Sequence, residues 1–177
     1  MLQPPSSLTW MPEWLQQRAT LSPQRLALIA GQQKWTFAEL NQRVSASSHR
    51  LLAAGVHRGD HVALLARNGA PFVQLAYAVT RIGGVLVPLN IRLTASELSW
   101  QVRDAGAALL VYDEPNAAKA ASLQERLPHL RCLSLAELAP QEGDGFNGDA
   151  GTGLDWVDLS TVHSIIYTAG TTGRPKG

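Results

Sequence analysis

The residues with the most evident chemistry are the final seventeen. Thr161-Val-His-Ser-Ile-Ile-Tyr-Thr168 leads directly into Ala169-Gly-Thr-Thr-Gly-Arg-Pro-Lys-Gly177. The first part predicts a buried strand, which delivers its C-terminal end into a loop of glycines and threonines. Glycine lets the backbone approach an anion closely and adopt positive φ, so that successive N–H groups converge into a nest. Gly170 and Gly173 offer that freedom, the hydroxyls of Thr168, Thr171 and Thr172 are directed donors, and Lys176 is a compact positive charge. These are the parts of a polyphosphate cradle, at the strand end where ligands bind in open α/β sheets. Lysine is scarce here: of the fifteen basic side chains only Lys34, Lys119 and Lys176 are lysines, the others being arginine.

The spacing excludes two familiar phosphate loops. A Walker A loop needs Ser or Thr directly after its lysine, whereas Lys176 is followed by Gly177. Nor does the loop from Ala169 to Gly177 carry the Gly-x-Gly-x-x-Gly pattern of dinucleotide folds. From these residues alone, a ligand-free Gly/Thr turn stands as the alternative reading.

The elements that must position such a loop are legible upstream. Trp10–Ala19 predicts a helix with Pro12 in its first turn. Leu26–Ala30 and Lys34–Thr36 predict a hairpin. Thr36-Phe-Ala-Glu39 is a capping box opening a helix whose Leu40, Val44, Leu51 and Leu52 share one face and which stops at Gly55. A regular alternation follows: strand His61–Leu65, helix Pro71–Ile82, strand Val85–Pro88, then a helix capped by Thr94 and Glu97 that ends near Gly106. Strand Ala108–Tyr112, helix Ala117–Leu127 and strand Leu130–Leu133 complete it, with a third capping box, Ser134 to Glu137, on one short turn of helix.

Apolar strands spaced by amphipathic helices are the pattern of βαβ units around a parallel sheet. The expected fold is therefore α/β, a doubly wound, mostly parallel sheet with flanking helices. Residues 1–139 are read as an N-terminal α/β subdomain and 140–160 as a flexible Gly/Asp-rich connection. Residues 161–177 are read as the strand and phosphate loop opening a second subdomain.

Composition bounds the partners. Of 177 residues 45% are hydrophobic and 16% charged, and net charge is +1, which excludes a disordered chain and gives no electrostatic reason for nucleic acid as a partner. The lone Cys132 excludes an intrachain disulfide and a cysteine zinc cluster. No basic segment followed by an apolar run opens the sequence, and the apolar stretch Phe72–Leu89 is broken by Arg81, Gly83-Gly84 and Pro88. A cytoplasmic protein without a membrane span is the expectation.

Tyr167-Thr-Ala-Gly-Thr-Thr-Gly-Arg-Pro-Lys-Gly177 resembles the signature loop of the adenylate-forming superfamily, Tyr-Thr-Ser-Gly-Thr-Thr-Gly-x-Pro-Lys-Gly; this superfamily contains acyl-CoA synthetases, peptide-synthetase adenylation domains and luciferases. Colinear segments are similar too: Trp35-Thr-Phe-Ala-Glu-Leu40, Gly55-Val-His-Arg-Gly-Asp60, and Val87-Pro-Leu-Asn-Ile-Arg-Leu93 followed by Glu97-Leu98. Within the superfamily, Trp14–Ala19 and Asn90–Gln101 look most like o-succinylbenzoate–CoA ligases of menaquinone biosynthesis, with fatty acyl-CoA ligases as the next resemblance.

The resemblance implies a two-step reaction. A carboxylic acid and ATP give an acyl-adenylate and pyrophosphate, and coenzyme A then displaces AMP. It also implies that Thr171, Thr172, Gly173 and Lys176 hold the β- and γ-phosphates, that Gly170 lets the backbone close over them, and that the Thr168 hydroxyl joins the Mg²⁺ shell. Ala169 departs from the superfamily's serine and removes one donor. No catalytic residue is expected within these 177 residues, because the superfamily's Mg²⁺-binding glutamate, adenine segment, acyl pocket and catalytic lysine follow the loop. The chain by itself is therefore expected not to catalyse acid-dependent ATP–pyrophosphate exchange, and its sheet edge to self-associate or be completed by another chain. A non-catalytic nucleotide-binding or interaction module is the alternative.

Other candidates are weaker. His49, His57, His61, His129 and His163 form no metal-ligand spacing, although His163 could face a pocket. Arg92 lies after a strand end, where it could meet a carboxylate, but a surface role is the simpler reading. Adjacent carboxylates diverge, so Asp113-Glu114 is read as a solvated turn. Trp35 and Trp100 are read as core anchors.

Overall fold

The computed structural model describes residues 9–139, 156–168 and 176–177. Its elements are β1 (Trp10–Pro12), α1 (Trp14–Leu21), β2 (Leu26–Ala30), β3 (Gln33–Thr36), α2 (Phe37–Ala53), β4 (His61–Leu65), α3 (Ala70–Arg81), β5 (Val85–Pro88), α4 (Ala95–Asp104), β6 (Leu109–Tyr112), α5 (Ala117–Arg126), β7 (Arg131–Ser134) and β8 (Trp156–Asp158). Four parallel strands form the central sheet in the order β5-β4-β6-β7. Successive side chains of a strand face opposite ways. Accordingly Val62, Leu64, Leu86, Leu109 and Val111 pack with Leu40, Val44 and Leu51 of α2 and Leu75 and Val79 of α3. Ala63, Leu65, Val87 and Leu110 pack with Leu98 and Val102 of α4 and Ala120 and Leu123 of α5. Helices thus cover both faces, as expected for a doubly wound fold.

The capping boxes of α2 and α4 form as their sequences dictate. Thr36 N donates to Glu39 Oε2 at 2.7 Å and Glu39 N to Thr36 Oγ1 at 3.3 Å; Thr94 and Glu97 repeat the pattern at 2.8 and 3.3 Å. The backbone N–H bonds, and then the hydroxyl bonds, hold the carboxyls of Glu39 and Glu97 below their ordinary 4.5. A depressed carboxyl contributes stability above its unfolded pKa and loses it as pH falls through the folded one. Unfolding midpoints should therefore drop as pH is lowered below about 4.5, and the double variant Glu39→Gln, Glu97→Gln should show a shallower acid slope in urea titrations. An unchanged slope would contradict the capping assignment. At the C-terminal end of α2, Gly55 has φ 78°, a left-handed conformation that favours glycine and ends the helix.

Several expectations need correction. Trp10–Ala19 is not one helix: Trp10–Pro12 is a strand pairing antiparallel with β8, and α1 begins after Glu13, whose carboxylate accepts from Gln16 N at 2.6 Å. An N-cap carboxylate, not a first-turn proline, sets the helix start. Leu52 lies one residue off the buried stripe of α2 and is exposed, because adjacent helical positions are about 100° apart. The last capping box forms, with Ser134 N donating to Glu137 Oε2 at 2.6 Å, but closes a turn rather than a helix. The final sheet strand is Arg131–Ser134, one residue later than expected.

The run 161–168 is not a continuous strand. It meets β5 through one parallel bridge, Ser164 with Leu86, in which Leu86 N donates to His163 O at 3.1 Å and Ile165 N to Leu86 O at 2.9 Å. Trp156–Asp158 forms β8 within the stretch read as connection. Among the described residues no helix is long and apolar enough to cross a membrane.

Candidate polyphosphate site

A cleft of about 550 Å³ opens at the C-terminal ends of β4 and β5, lined in part by Arg67, Asn68, Asn90, Arg92, Gln101 and Thr168. The parallel bridge at Ser164 makes the 161–168 segment run alongside β5, and so brings Thr168 to the same end of the sheet as Asn90. The open ends of parallel strands are the usual ligand site of such sheets. Of the expected cradle residues, Thr168 and Lys176 are described, while Gly170, Thr171, Thr172 and Gly173, like Ala169, lie outside the described residues.

The described ends of the loop meet in an antiparallel bridge. Thr168 N donates to Lys176 O at 2.9 Å and Lys176 N to Thr168 O at 3.1 Å, with the Thr168 hydroxyl 3.4 Å from Lys176 O. The bridge uses backbone, so it fixes where Lys176 begins whatever its side chain does. Gly177 is seated against a ring: a Cβ there would fall 2.9 Å from Tyr167 Cε1 and Cζ and from Ile165 Cγ2. No larger residue fits unless the ring moves.

That ring is itself held. The Tyr167 hydroxyl donates to Asp104 Oδ2 at 2.7 Å and lies 3.3 Å from the carbonyl of Gln101, both on α4. Trp100 packs edge-on at 5.7 Å between centroids, so it is a half-buried ring clamp and not the core anchor expected; Trp35 is buried as expected. Burial first, and then the bond to Asp104, push the Tyr167 phenol well above its ordinary 10.0. A raised pKa means that the contribution is complete below the unfolded value and is lost only as pH rises through the folded one, so the anchor stays protonated throughout the neutral range. Tyr167→Phe is expected to destabilise the fold by about 1 kcal/mol, read as a urea midpoint shift that Asp104→Ala reproduces. Additive losses in the double variant would contradict a shared bond.

Other candidates disperse. Asp113 is not a solvated carboxylate: it accepts from Arg67 N at 3.0 Å, Arg67 Nε at 3.3 Å and Asn116 Nδ2 at 2.5 Å, tying the end of β6 to the end of β4. Burial works to raise its pKa, and these bonds outweigh it to hold the carboxyl below its ordinary value. His61 Nδ1 donates to the Ala105 carbonyl, His163 is exposed beside a second cavity, and no metal-binding cluster of His, Cys, Asp or Glu exists among the described residues. Sequence reasoning missed Gln101, a buried polar residue of α4, and the clamp on Tyr167. Helical periodicity marks a position as inward-facing but not what its amide meets.

This architecture and loop have known counterparts. Residues 15–177 match the AMP-binding enzyme family, and the chain belongs to it. It is 35% identical over 172 residues to the 2-succinylbenzoate–CoA ligase of Geobacillus sp. (strain WCH70), covering 96% of this chain and 32% of that protein. Among solved structures, it matches the o-succinylbenzoate CoA synthetase (MenE) of Bacillus subtilis in complex with the acyl-adenylate intermediate OSB-AMP. The TM-score is 0.84 and the identity 32%, over 96% of this chain and 33% of that one. The same enzyme in complex with ATP and magnesium ion matches at TM-score 0.81 and 31% identity, over 96% of this chain and 43% of that one. The chain thus spans about a third of the length of the curated relative it matches.

Proposed function

We propose that this chain supplies the polyphosphate-holding part of an ATP-dependent acid–coenzyme A ligase acting on 2-succinylbenzoate. In the first step a carboxylate oxygen of the acid forms a bond to the α-phosphorus of ATP as the bond to pyrophosphate breaks. In the second, the coenzyme A thiolate attacks the acyl carbon and AMP leaves. Such phosphoryl chemistry is catalysed mainly by positioning and charge neutralisation. The assigned roles are Thr171, Thr172, Gly173 and Lys176 on the β- and γ-phosphates, Gly170 for close approach, and the Thr168 hydroxyl toward Mg²⁺.

The observation that carries this reading is the return of Lys176 to Thr168 beside a cleft whose lining, among the described residues, includes Arg67 and Arg92 but no carboxylate. The donor set suits Mg²⁺ arriving with the nucleotide, since that ion keeps water and phosphate ligands and takes only one or two from protein. When bound, it would neutralise phosphate charge. The relatives' names support 2-succinylbenzoate as the acid, and a cytoplasmic location goes with that reading.

The test is to give the intact protein ATP, Mg²⁺, coenzyme A and a panel of acids. Formation of 2-succinylbenzoyl-CoA with one AMP and one pyrophosphate per thioester is expected. Thioester formation with fatty acids alone, or from no acid, would overturn the substrate assignment.

A further inference from the structure

We propose that Asp104 of α4 is a positioning residue for the glycine-threonine loop: through the Tyr167 ring it seats the returning stem at Gly177, and so sets where Lys176 stands relative to Thr168. What the loop is used for rests on the ligase reading. The seat itself consists of residues of this chain and is testable without that reading.

Among the described residues the two stems meet in the backbone bridge between Thr168 and Lys176. A lone pair of antiparallel segments is marginal in water, so its placement must come from what it packs on. Gly177 lies so close to the Tyr167 ring that a Cβ there would fall 2.9 Å from Cε1 and Cζ. The position of the ring therefore decides that of Gly177, and through the adjoining peptide that of Lys176.

The position of the ring is decided in turn on α4. Trp100 and Asp104 are four positions apart and Gln101 and Asp104 three, spacings that share one helix face. From that face the Asp104 carboxylate accepts from the Tyr167 hydroxyl at 2.7 Å, the Gln101 carbonyl lies 3.3 Å from the same hydroxyl, and Trp100 meets the ring edge-on at 5.7 Å. The helix is firmly seated: Leu98 and Val102 are 0% and 1% exposed in the core, and Ile165 and Tyr167 pack against that same cluster. Contacts thus run unbroken from the core, through α4 and the ring, to the loop stem.

Asp104 is exposed, so water competes for its bond and the contribution to global stability is small. What the bond decides is where the phenol end of the ring points. With that end fixed the ring cannot tilt; released, it tilts and takes Gly177 with it. Displacing a positioning group by about 1 Å costs a reaction on the order of 10²-fold, far more than so exposed a bond contributes to folding.

Asp104→Ala and Tyr167→Phe each remove the bond, and the second keeps the ring. Both should lower acid-dependent ATP–pyrophosphate exchange of the intact protein about tenfold or more, raising KM for ATP and leaving KM for the acid unchanged. Asp104→Asn keeps an oxygen that accepts from the phenol and should recover most of the rate, and the losses in Asp104→Ala and Tyr167→Phe should not add in the double variant. Thr36→Ala, which removes the N-cap of α2, should lower the urea midpoint about as much yet leave the exchange rate at the wild-type value, which separates positioning from folding. In the protein without nucleotide, the peptide carrying Thr168 and Lys176 should take up deuterium faster in Asp104→Ala than in Thr36→Ala. Rates within about threefold of wild type in both Asp104→Ala and Tyr167→Phe, or an equal loss in Thr36→Ala, overturn the proposal, as does equal deuterium uptake in the two alanine variants. A wild-type protein inactive toward every acid, with the deuterium difference present, overturns the ligase reading and leaves the seat standing.

Discussion

Glu13→Ala is expected to destabilise the fold by about 3–5 kcal/mol, because it removes one partner of a buried ion pair. Arg81, at the end of α3, is only 4% exposed and donates to Glu13 Oε2 at 3.1 Å; Glu13 is 6% exposed. The guanidinium also donates to Asn41 Oδ1 at 2.7 Å and Ser45 Oγ at 2.8 Å, so three segments converge on it: the start of α1, the middle of α2 and the end of α3. The same carboxylate caps α1 through Gln16 N, so the substitution also costs a helix cap. In urea titration a loss of this size moves the midpoint by about 2 M at a typical slope. Arg81→Met in the Glu13→Leu background should recover most of the loss, since replacing both partners of a buried pair by apolar residues is often neutral. A single-variant loss below about 1 kcal/mol would mean that solvent reaches the pair.

Lys176→Ala is expected to lower acid-dependent ATP–pyrophosphate exchange of the intact ligase by about 10²–10³-fold, the usual consequence of removing one preorganised charge from developing negative charge. Its fold should be untouched: Lys176 is exposed, and the bridge to Thr168 runs through backbone N–H and C=O. Lys176→Arg should restore only part of the rate, because a planar fork does not replace a compact ammonium. Exchange within about threefold of wild type in Lys176→Ala would remove the lysine from the phosphate site.

Much of this molecule is legible in its sequence. Apart from His61, the strands His61–Leu65 and Val85–Pro88 are apolar because both faces are covered, and capping residues such as Thr36 and Thr94 mark helix starts through local hydrogen bonds that need no tertiary context. Failures occur where a distant partner decides. Trp10–Pro12 becomes a strand only because residues 156–158 pair with it, and helical spacing around Pro12 cannot reveal that. The apolar run 161–168 reads as a strand, yet it bridges β5 only at Ser164. In the site, the loop is visible as a glycine-threonine run, whereas the clamp of Tyr167 by Asp104 and Trp100 joins residues more than sixty positions apart. The burial of Gln101 is visible only once α4 is packed on the sheet.

In the proposed reaction a carboxylate of 2-succinylbenzoate attacks the α-phosphorus of ATP held by this loop. This step is tested most directly by supplying the intact protein with 2-succinylbenzoate labelled with ¹⁸O in its carboxylates, together with ATP, Mg²⁺ and coenzyme A, and weighing the products. The oxygen that bonds to phosphorus stays there when the thiolate breaks the acyl carbon–oxygen bond, so each AMP should carry one ¹⁸O and pyrophosphate none. Unlabelled AMP, or label in pyrophosphate or orthophosphate, would contradict the account.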